Sequence, residues 1–153
     1  MPKKVLLAGY YGFGNTGDEA ILSAILHDLR SLATGIELCV VSASPAGTRK
    51  RYGVDVIAWR DLSGIIRKVR ACDLVLLGGG GVFNDYWGAP SADLLTPQQA
   101  GIPFYSSFPL LSSLLEKPMM VYAAGVGPLR SEGGKELTRL AFELASTATV
   151  RDR

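Results

Sequence analysis

The sequence predicts an α/β fold, specifically a Rossmann-like, doubly wound sheet whose strands run mainly parallel. Short apolar runs alternate along the chain with segments in which apolar residues recur at helical spacing, which is typical of βαβ units. Glycine-rich turns follow the first, fourth and fifth of these apolar runs. We therefore expect the strand order 3-2-1-4-5-6, in which the carboxyl ends of strands one and four border the crevice where such folds bind ligands.

The predicted strands are short apolar runs, several of them rich in β-branched residues. They cover residues 4–9, 36–41, 54–59, 73–77, 119–124 and a run that begins at 148. Helical spacing between them predicts helices at 21–32, 46–52, 62–69, 105–116 and 135–145. Residues 84–103 are rich in Gly, Pro, Ser and Gln, so we expect a long surface loop that rims the crevice.

Composition excludes several classes of function. The chain has 153 residues, of which 48% are hydrophobic and 20% charged, as in one ordinary globular domain. A net charge of +2 without a basic stripe argues against nucleic-acid binding. No apolar run reaches the roughly 18 residues of a membrane span, and no signal peptide is evident, so we expect a cytoplasmic protein. A single histidine and two distant cysteines predict no metal site.

The loop after the first strand is the richest candidate site. Gly12, Gly14 and Gly17 match the dinucleotide-binding spacing G-x-G-x-x-G between a strand and a helix. Asp18 and Glu19, however, would lie in the first helical turn, where carboxylates complement the helix dipole themselves and repel a pyrophosphate. No acid follows the second strand to bind a ribose, but a serine and two basic residues there could hold a 2′-phosphate. An NADP-binding domain therefore stays open.

The acids near the glycine turns have alternative roles. Thr16 with Glu19 fits a capping box, which would make Glu19 structural. Asp18 and Asp85 are the candidate catalytic residues, although the first could serve only the helix dipole and the second only a turn. The candidate substrate-binding residues lie in or beside the glycine turns, and they are Tyr10, Gly14, Asn15, Gly17, Gly79, Gly80, Asn84 and Gly127.

Three segments carry a resemblance to a known family. They are GYYGFGNTGDEAIL at 9–22, LGGGGVFND at 77–85 and AGVGPL at 124–129. Together they resemble the polysaccharide pyruvyl transferase family, and most of all its CsaB type, which pyruvylates a secondary cell-wall polysaccharide in bacteria. The run VRD at 150–152 is similar to the family's strand-six signature. The likeness covers the whole chain but only the amino-terminal half of the family's usual length.

The resemblance implies a two-domain enzyme similar to GT-B glycosyltransferases. Residues 1–153 would be its amino-terminal, acceptor-side domain, and the carboxyl-terminal domain is absent from this chain. Such enzymes transfer the enolpyruvyl carbons of phosphoenolpyruvate to two hydroxyls of one sugar, giving a cyclic ketal and phosphate, with no further cofactor. The basic residues that hold phosphoenolpyruvate would belong largely to the missing half. We therefore expect this fragment to be inactive alone, with a polysaccharide or lipid-linked glycan as acceptor.

Three other functions stay open at this point. The chain could be an NADP-binding Rossmann domain, half of a GT-B glycosyltransferase that uses a nucleotide sugar, or a non-catalytic sugar-binding module. Each needs the same crevice between strands one and four, so the side chains that line that crevice are what distinguish them.

Overall fold

A computed structural model describes residues 1–151 and contains a six-stranded sheet in the order β3-β2-β1-β4-β5-β6. The strands are β1 Lys4–Ala8, β2 Glu37–Ser42, β3 Asp55–Ala58, β4 Leu74–Phe83, β5 Met119–Val126 and β6 Thr147–Val150. Every neighbouring pair is parallel, so the predicted Rossmann-like fold and its strand order are confirmed. Asp152, which belongs to the predicted VRD signature, lies outside the described residues.

The helices connect these strands and cover both faces of the sheet. They are α1 Thr16–Leu32, α2 Pro45–Tyr52, α3 Leu62–Ala71, α4 Ile102–Leu114 and α5 Glu132–Leu144. On one face Leu22 of α1 shares a buried cluster with Leu7, and on the other Ile65 of α3 and Phe108 of α4 share one with Leu6. Because the chain winds to opposite sides from β1 and from β4, a crevice opens between the two strands. Within residues 1–151, none of the helices is long and apolar enough to cross a membrane.

β4 is longer than predicted because it continues through the four-glycine run. The run pairs with β5 through Gly78 and Gly80, and the register shifts before Phe83. The backbone has positive φ at Gly79 and Gly80, 33° and 81°, which glycine adopts at little cost. The glycines therefore bend the strand locally, as at a β-bulge, where we had expected them to end it.

The predicted capping box at the start of α1 is wrong. Asn15 is the N-cap, and its Oδ1 accepts hydrogen bonds from the N–H groups of Gly17 and Asp18 at 2.9 and 3.2 Å. Asparagine caps a helix at least as well as threonine, so Thr16 becomes the first helical residue instead. Glu19 is then one position too far along the helix to reach back to the cap, and its carboxylate binds elsewhere.

The predicted loop at 84–103 is shorter and better anchored than its composition indicates. It contains a single 3-10 turn at Ser91–Asp93, and α4 already begins at Ile102. Ala89 in the loop is buried in one cluster with Ile102 and with Leu137 of α5. The loop is thus fixed to α5 at Ala89 and to α4 at its end, and its exposed residues lie at 86–88, 90–92 and 98–99.

Candidate functional site

A cleft opens at the carboxyl ends of β1 and β4, where the topology predicts a binding crevice. Its volume of about 500 Å³ is in the usual range for small-ligand sites. The lining comes from six places, namely the loop after β1, the first turn of α1, the residue after β3, the end of β4, the loop before α4, and α4 itself. The lining residues are Tyr10, Phe13, Asn15, Asp18, Trp59, Gly81, Val82, Asn84, Tyr86, Trp87, Gly88, Gln98, Gln99, Ala100, Gly101 and Tyr105. We call this site the aromatic cleft.

Aromatic rings dominate the lining of the aromatic cleft. Tyr10 and Phe13 stack with their ring centroids 4.2 Å apart, and the Trp59 ring lies 5.6 Å from Phe13. Tyr86 and Trp87 stay 60% and 82% exposed, so these two rings are not buried anchors of their loop. Aromatic side chains offer apolar faces with polar edges, which match the C–H faces and hydroxyls of a sugar ring.

The aromatic cleft contains one charged lining residue, Asp18, and no lysine, arginine or histidine among the lining residues described. Two arginines near by are stacked on aromatic rings. Arg60 lies over Trp59 at 4.9 Å and Arg130 over Tyr86 at 5.9 Å. Phosphate sites in proteins rely on Arg, Lys or free helix N-terminal N–H groups. The lining therefore favours a neutral, hydroxyl-rich ligand over a phosphate.

Asp18 faces the aromatic cleft from the first turn of α1. Its residue surface is only 9% exposed, and it is one of the residues that line the aromatic cleft. Burial, and secondly the neighbouring Glu19 carboxylate, raises the pKa of Asp18. A carboxyl group of raised pKa takes up and holds a proton more readily than an ordinary aspartate. This property suits general acid–base chemistry.

Gly79 and Gly80 do not line the aromatic cleft but lie beneath α1. A Cβ atom at Gly79 would stand 2.2 Å from Cγ2 of Ile21, and one at Gly80 would stand 2.2 Å from Oδ1 of Asp18. Side chains at either position would push α1 or its acid away from the sheet. The structure thus places Gly79 beneath Ile21 and Gly80 beneath Asp18, so both support the first turns of α1.

Glu19 has a role that the capping-box prediction missed. Its Oε1 accepts the N–H of Gly12 at 2.7 Å, and its Oε2 accepts the hydroxyl of Tyr52 at 2.8 Å. Burial and this hydrogen bond raise the pKa of Tyr52 to about 12. The N–H of Gly12 is one of the loop donors that a dinucleotide pyrophosphate would use, and the protein's own carboxylate occupies it. This contact disfavours the dinucleotide interpretation of the glycine spacing.

Among the other predicted substrate-binding residues, Tyr10, Asn15 and Asn84 line the aromatic cleft. The Oδ1 atom of Asn15 caps α1, which leaves its amide nitrogen for a ligand. The amide nitrogen of Asn84 donates to the carbonyl of the last glycine in the four-glycine run, which leaves its oxygen. Gly14, in the loop after β1, and Gly17, in the first turn of α1, are not part of the lining.

Asp85 lies outside the aromatic cleft, buried at the amino end of α5, and its predicted catalytic role does not fit this position. Its carboxylate accepts the N–H of Arg130 at 2.8 Å, and from Ser131 both the N–H at 2.6 Å and the hydroxyl at 2.7 Å. The hydrogen bonds of Ser131 and Arg130 lower the pKa of Asp85 to about 2. Gly127 also lies outside the lining. Its N–H donates to Phe83 O at 2.7 Å, at the start of the connection between β5 and α5. The alternative of a turn acid, bonded to backbone, describes Asp85 better.

Comparison with known proteins was made by family, by curated protein and by solved structure. The sequence model of the family described as polysaccharide pyruvyl transferase matches residues 15–153. The chain belongs to the polysaccharide pyruvyl transferase family. Among curated proteins no match is found. A crystal structure of S. aureus homoserine dehydrogenase is similar over 99% of this chain and 33% of that chain, with 12% identity and a TM-score of 0.45. A likeness this weak adds nothing to what the sheet topology establishes.

The cleft of this pyruvyl transferase family member includes residues that the sequence did not single out. Trp59 follows the carboxyl end of β3, and Phe13 lies between two predicted loop residues, so position along the chain could have indicated both. Tyr105 could not be found in this way, because it lies inside α4, a helix whose first eight residues are all buried. Only the packing of α4 against the end of β4 brings Tyr105 to the cleft.

Proposed function

We propose that this chain is the amino-terminal, acceptor-binding domain of a transferase that moves the pyruvyl group of phosphoenolpyruvate onto a polysaccharide sugar as a ketal. The acceptor is a surface polysaccharide or a lipid-linked glycan on the cytoplasmic side. A second, carboxyl-terminal domain, as in GT-B enzymes, supplies the cations that hold phosphoenolpyruvate. Membership of the polysaccharide pyruvyl transferase family supports the reaction class.

The composition of the aromatic cleft is the observation that carries this proposal. Its lining offers aromatic rings, amides and one carboxylate, and no basic side chain among the lining residues described. These groups suit the C–H faces and hydroxyls of a sugar, whereas phosphoenolpyruvate bears a phosphate and a carboxylate and needs cations. The division of substrates between two domains follows from this difference.

Asp18 is the group that acts on the acceptor in this proposal. Ketal formation joins two sugar hydroxyls to the central carbon of the enolpyruvyl group, and phosphate leaves. Of the two hydroxyl protons, one is balanced by the proton gained at the methylene carbon, and the other leaves with phosphate. Asp18 takes the proton from an attacking hydroxyl, because its carboxylate borders the aromatic cleft and has a raised pKa.

The test uses the complete protein that carries this chain, incubated with phosphoenolpyruvate and a wall glycan. We expect phosphate release in a one-to-one ratio with ketal, read as a glycan mass gain of one pyruvate less one water. The isolated chain is the control and should produce neither. Phosphate release without a change in glycan mass, or no reaction with both substrates present, would contradict the proposal.

A further inference from the structure

Tyr105 is buried in α4, but its hydroxyl has no partner. Its residue surface is 1% exposed, and its ring packs on Phe104 with centroids 5.3 Å apart. Within residues 1–151, the phenol oxygen forms no hydrogen bond. Buried hydroxyls are nearly always hydrogen-bonded, because burying one without a partner is costly. An unpartnered phenol in a well-packed helix is therefore a feature that needs an explanation.

Other buried hydroxyls near Tyr105 show what a purely structural role looks like. Tyr11 is buried to the same degree, and its hydroxyl donates to Gly78 O at 3.2 Å. The neighbours of Tyr105 in α4 are also satisfied, since Ser106 donates to Leu137 O at 3.1 Å and Ser107 to a backbone carbonyl of its own helix at 2.9 Å. The fold thus satisfies the hydroxyls on either side of Tyr105 and leaves that of Tyr105 open.

The position of Tyr105 supplies the explanation. Two other buried hydroxyls lack a partner, Ser112 and Thr138, but neither lines the aromatic cleft, whereas Tyr105 does. Burial above all, and in addition the nearby carboxylate of Asp18, raises the pKa of Tyr105, so its phenol stays protonated and able to donate. Tyr105 and Asp18 therefore bring an unpartnered donor and a carboxylate acceptor to one cleft.

We propose that the hydroxyl of Tyr105 binds one hydroxyl of the acceptor sugar while the carboxylate of Asp18 faces a second, so that the two residues select a diol. The inference rests on the proposed function, whose ketal already requires two hydroxyls close enough to be bridged by one carbon, and it adds the residue that binds one of them. Tyr105 is a substrate-binding residue in this arrangement. The ligand supplies the hydrogen bond that the fold leaves open.

The experiment compares Tyr105→Phe with Tyr11→Phe in the complete protein. Tyr105→Phe removes an oxygen that bonds to nothing in the described chain, so the thermal midpoint should stay level or rise. The KM for the glycan acceptor should rise about tenfold, the effect of one lost hydrogen bond, with an unchanged KM for phosphoenolpyruvate. Tyr11→Phe should behave in the opposite way, with a lower midpoint because the bond to Gly78 is lost and an unchanged acceptor KM.

Binding of methyl pyranosides of glucose, galactose and mannose, each with its deoxy forms, extends the test. One deoxy form should bind the wild type and Tyr105→Phe equally, because it lacks the hydroxyl that Tyr105 binds. An acceptor KM unchanged in Tyr105→Phe, or a midpoint that falls together with activity, would overturn the inference and leave Tyr105 as a packed or water-bonded residue.

Failure of the proposed function would be recognised separately. If the wild type forms no ketal, the proposed reaction is wrong. The shift in thermal midpoint caused by the same pyranosides then tests whether Tyr105 binds a sugar hydroxyl. A shift that Tyr105→Phe reduces supports the inference, whereas equal shifts, or none in the wild type, overturn it.

Discussion

Gly80→Ala should separate the position of Asp18 from the stability of the fold. An added Cβ would stand 2.2 Å from Oδ1 of Asp18, whereas non-bonded heavy atoms keep about 3.5 Å apart, so the oxygen must retreat by more than about 1 Å. The carboxylate can turn about its soft terminal torsion, so this movement costs little energy. The main cost to the fold is the positive φ of 81°, worth about 1–2 kcal/mol for alanine.

Gly35→Ala is the matched control for that backbone cost. Gly35 has a φ of 75°, and nothing lies within 4 Å of its Cβ position. Both variants should therefore lose about 1–2 kcal/mol of unfolding free energy, which moves a urea midpoint by roughly 0.5–1 M. A domain with 5–15 kcal/mol of stability stays folded after such a loss, so unfolding would not reduce activity.

Under the proposed function, turnover of the protein that carries this chain should distinguish the two variants. A displacement of about 1 Å at a reacting group costs on the order of 100-fold in rate, or about 2.7 kcal/mol of barrier. We expect that loss for Gly80→Ala and none for Gly35→Ala, measured as phosphate release at saturating substrates. If Gly80→Ala keeps the turnover of Gly35→Ala, the support of Asp18 by β4 has no functional role.

Three further predictions concern single groups of the site. Asp18→Asn should lower turnover by about 10²–10⁴-fold. Its stability at neutral pH should not fall, because the raised pKa of Asp18 means that the charged carboxylate destabilises the fold. Unchanged turnover in kinetic assays would leave Asp18 with only a helix-end role. The pKa of Asp85 is about 2 rather than the ordinary 3.8, so its ionised carboxylate stabilises the fold above about pH 4. This stabilisation is lost as the pH falls from about 4 to about 2. Asp85→Ala should flatten that limb in acid unfolding curves, and an unaltered limb would refute this. Calorimetry should detect no micromolar binding of NADP or phosphoenolpyruvate to the isolated chain, because Glu19 occupies the N–H of Gly12 and the aromatic cleft has no basic lining residue among those described.

The sheet could be predicted because its signals are local and periodic. The order of strands and helices along the chain can be read from apolar runs, helical spacing and glycine turns. The right-handed βαβ connection then limits how the strands can be arranged in the sheet. Boundaries were harder, because several residues compete for one position. Asn15 and Thr16 can both cap α1, and only the geometry of the loop selects Asn15.

The site was predicted less completely because its members depend on contacts between distant elements. Asp18 could be found from its place after β1. Asp85 has the same local character, yet its partners lie about 45 residues away at the start of α5 and turn it into an anchor. Tyr105 is recognisable only from what its hydroxyl fails to contact, and no sequence pattern reports an absent partner.

The hydrogen bonds of Asp85 to the start of α5 place few restrictions on the side chains at the rim of the cleft. Two of the three donors, the N–H groups of residues 130 and 131, belong to the backbone, and only the hydroxyl of Ser131 depends on a side chain. Any residue except proline can occupy position 130 without losing the contact. The side chain there, at present Arg130 over Tyr86, can therefore diverge between relatives and alter the rim of the aromatic cleft. If the proposed function holds, acceptor preference can change through this position while the connection to α5 is retained.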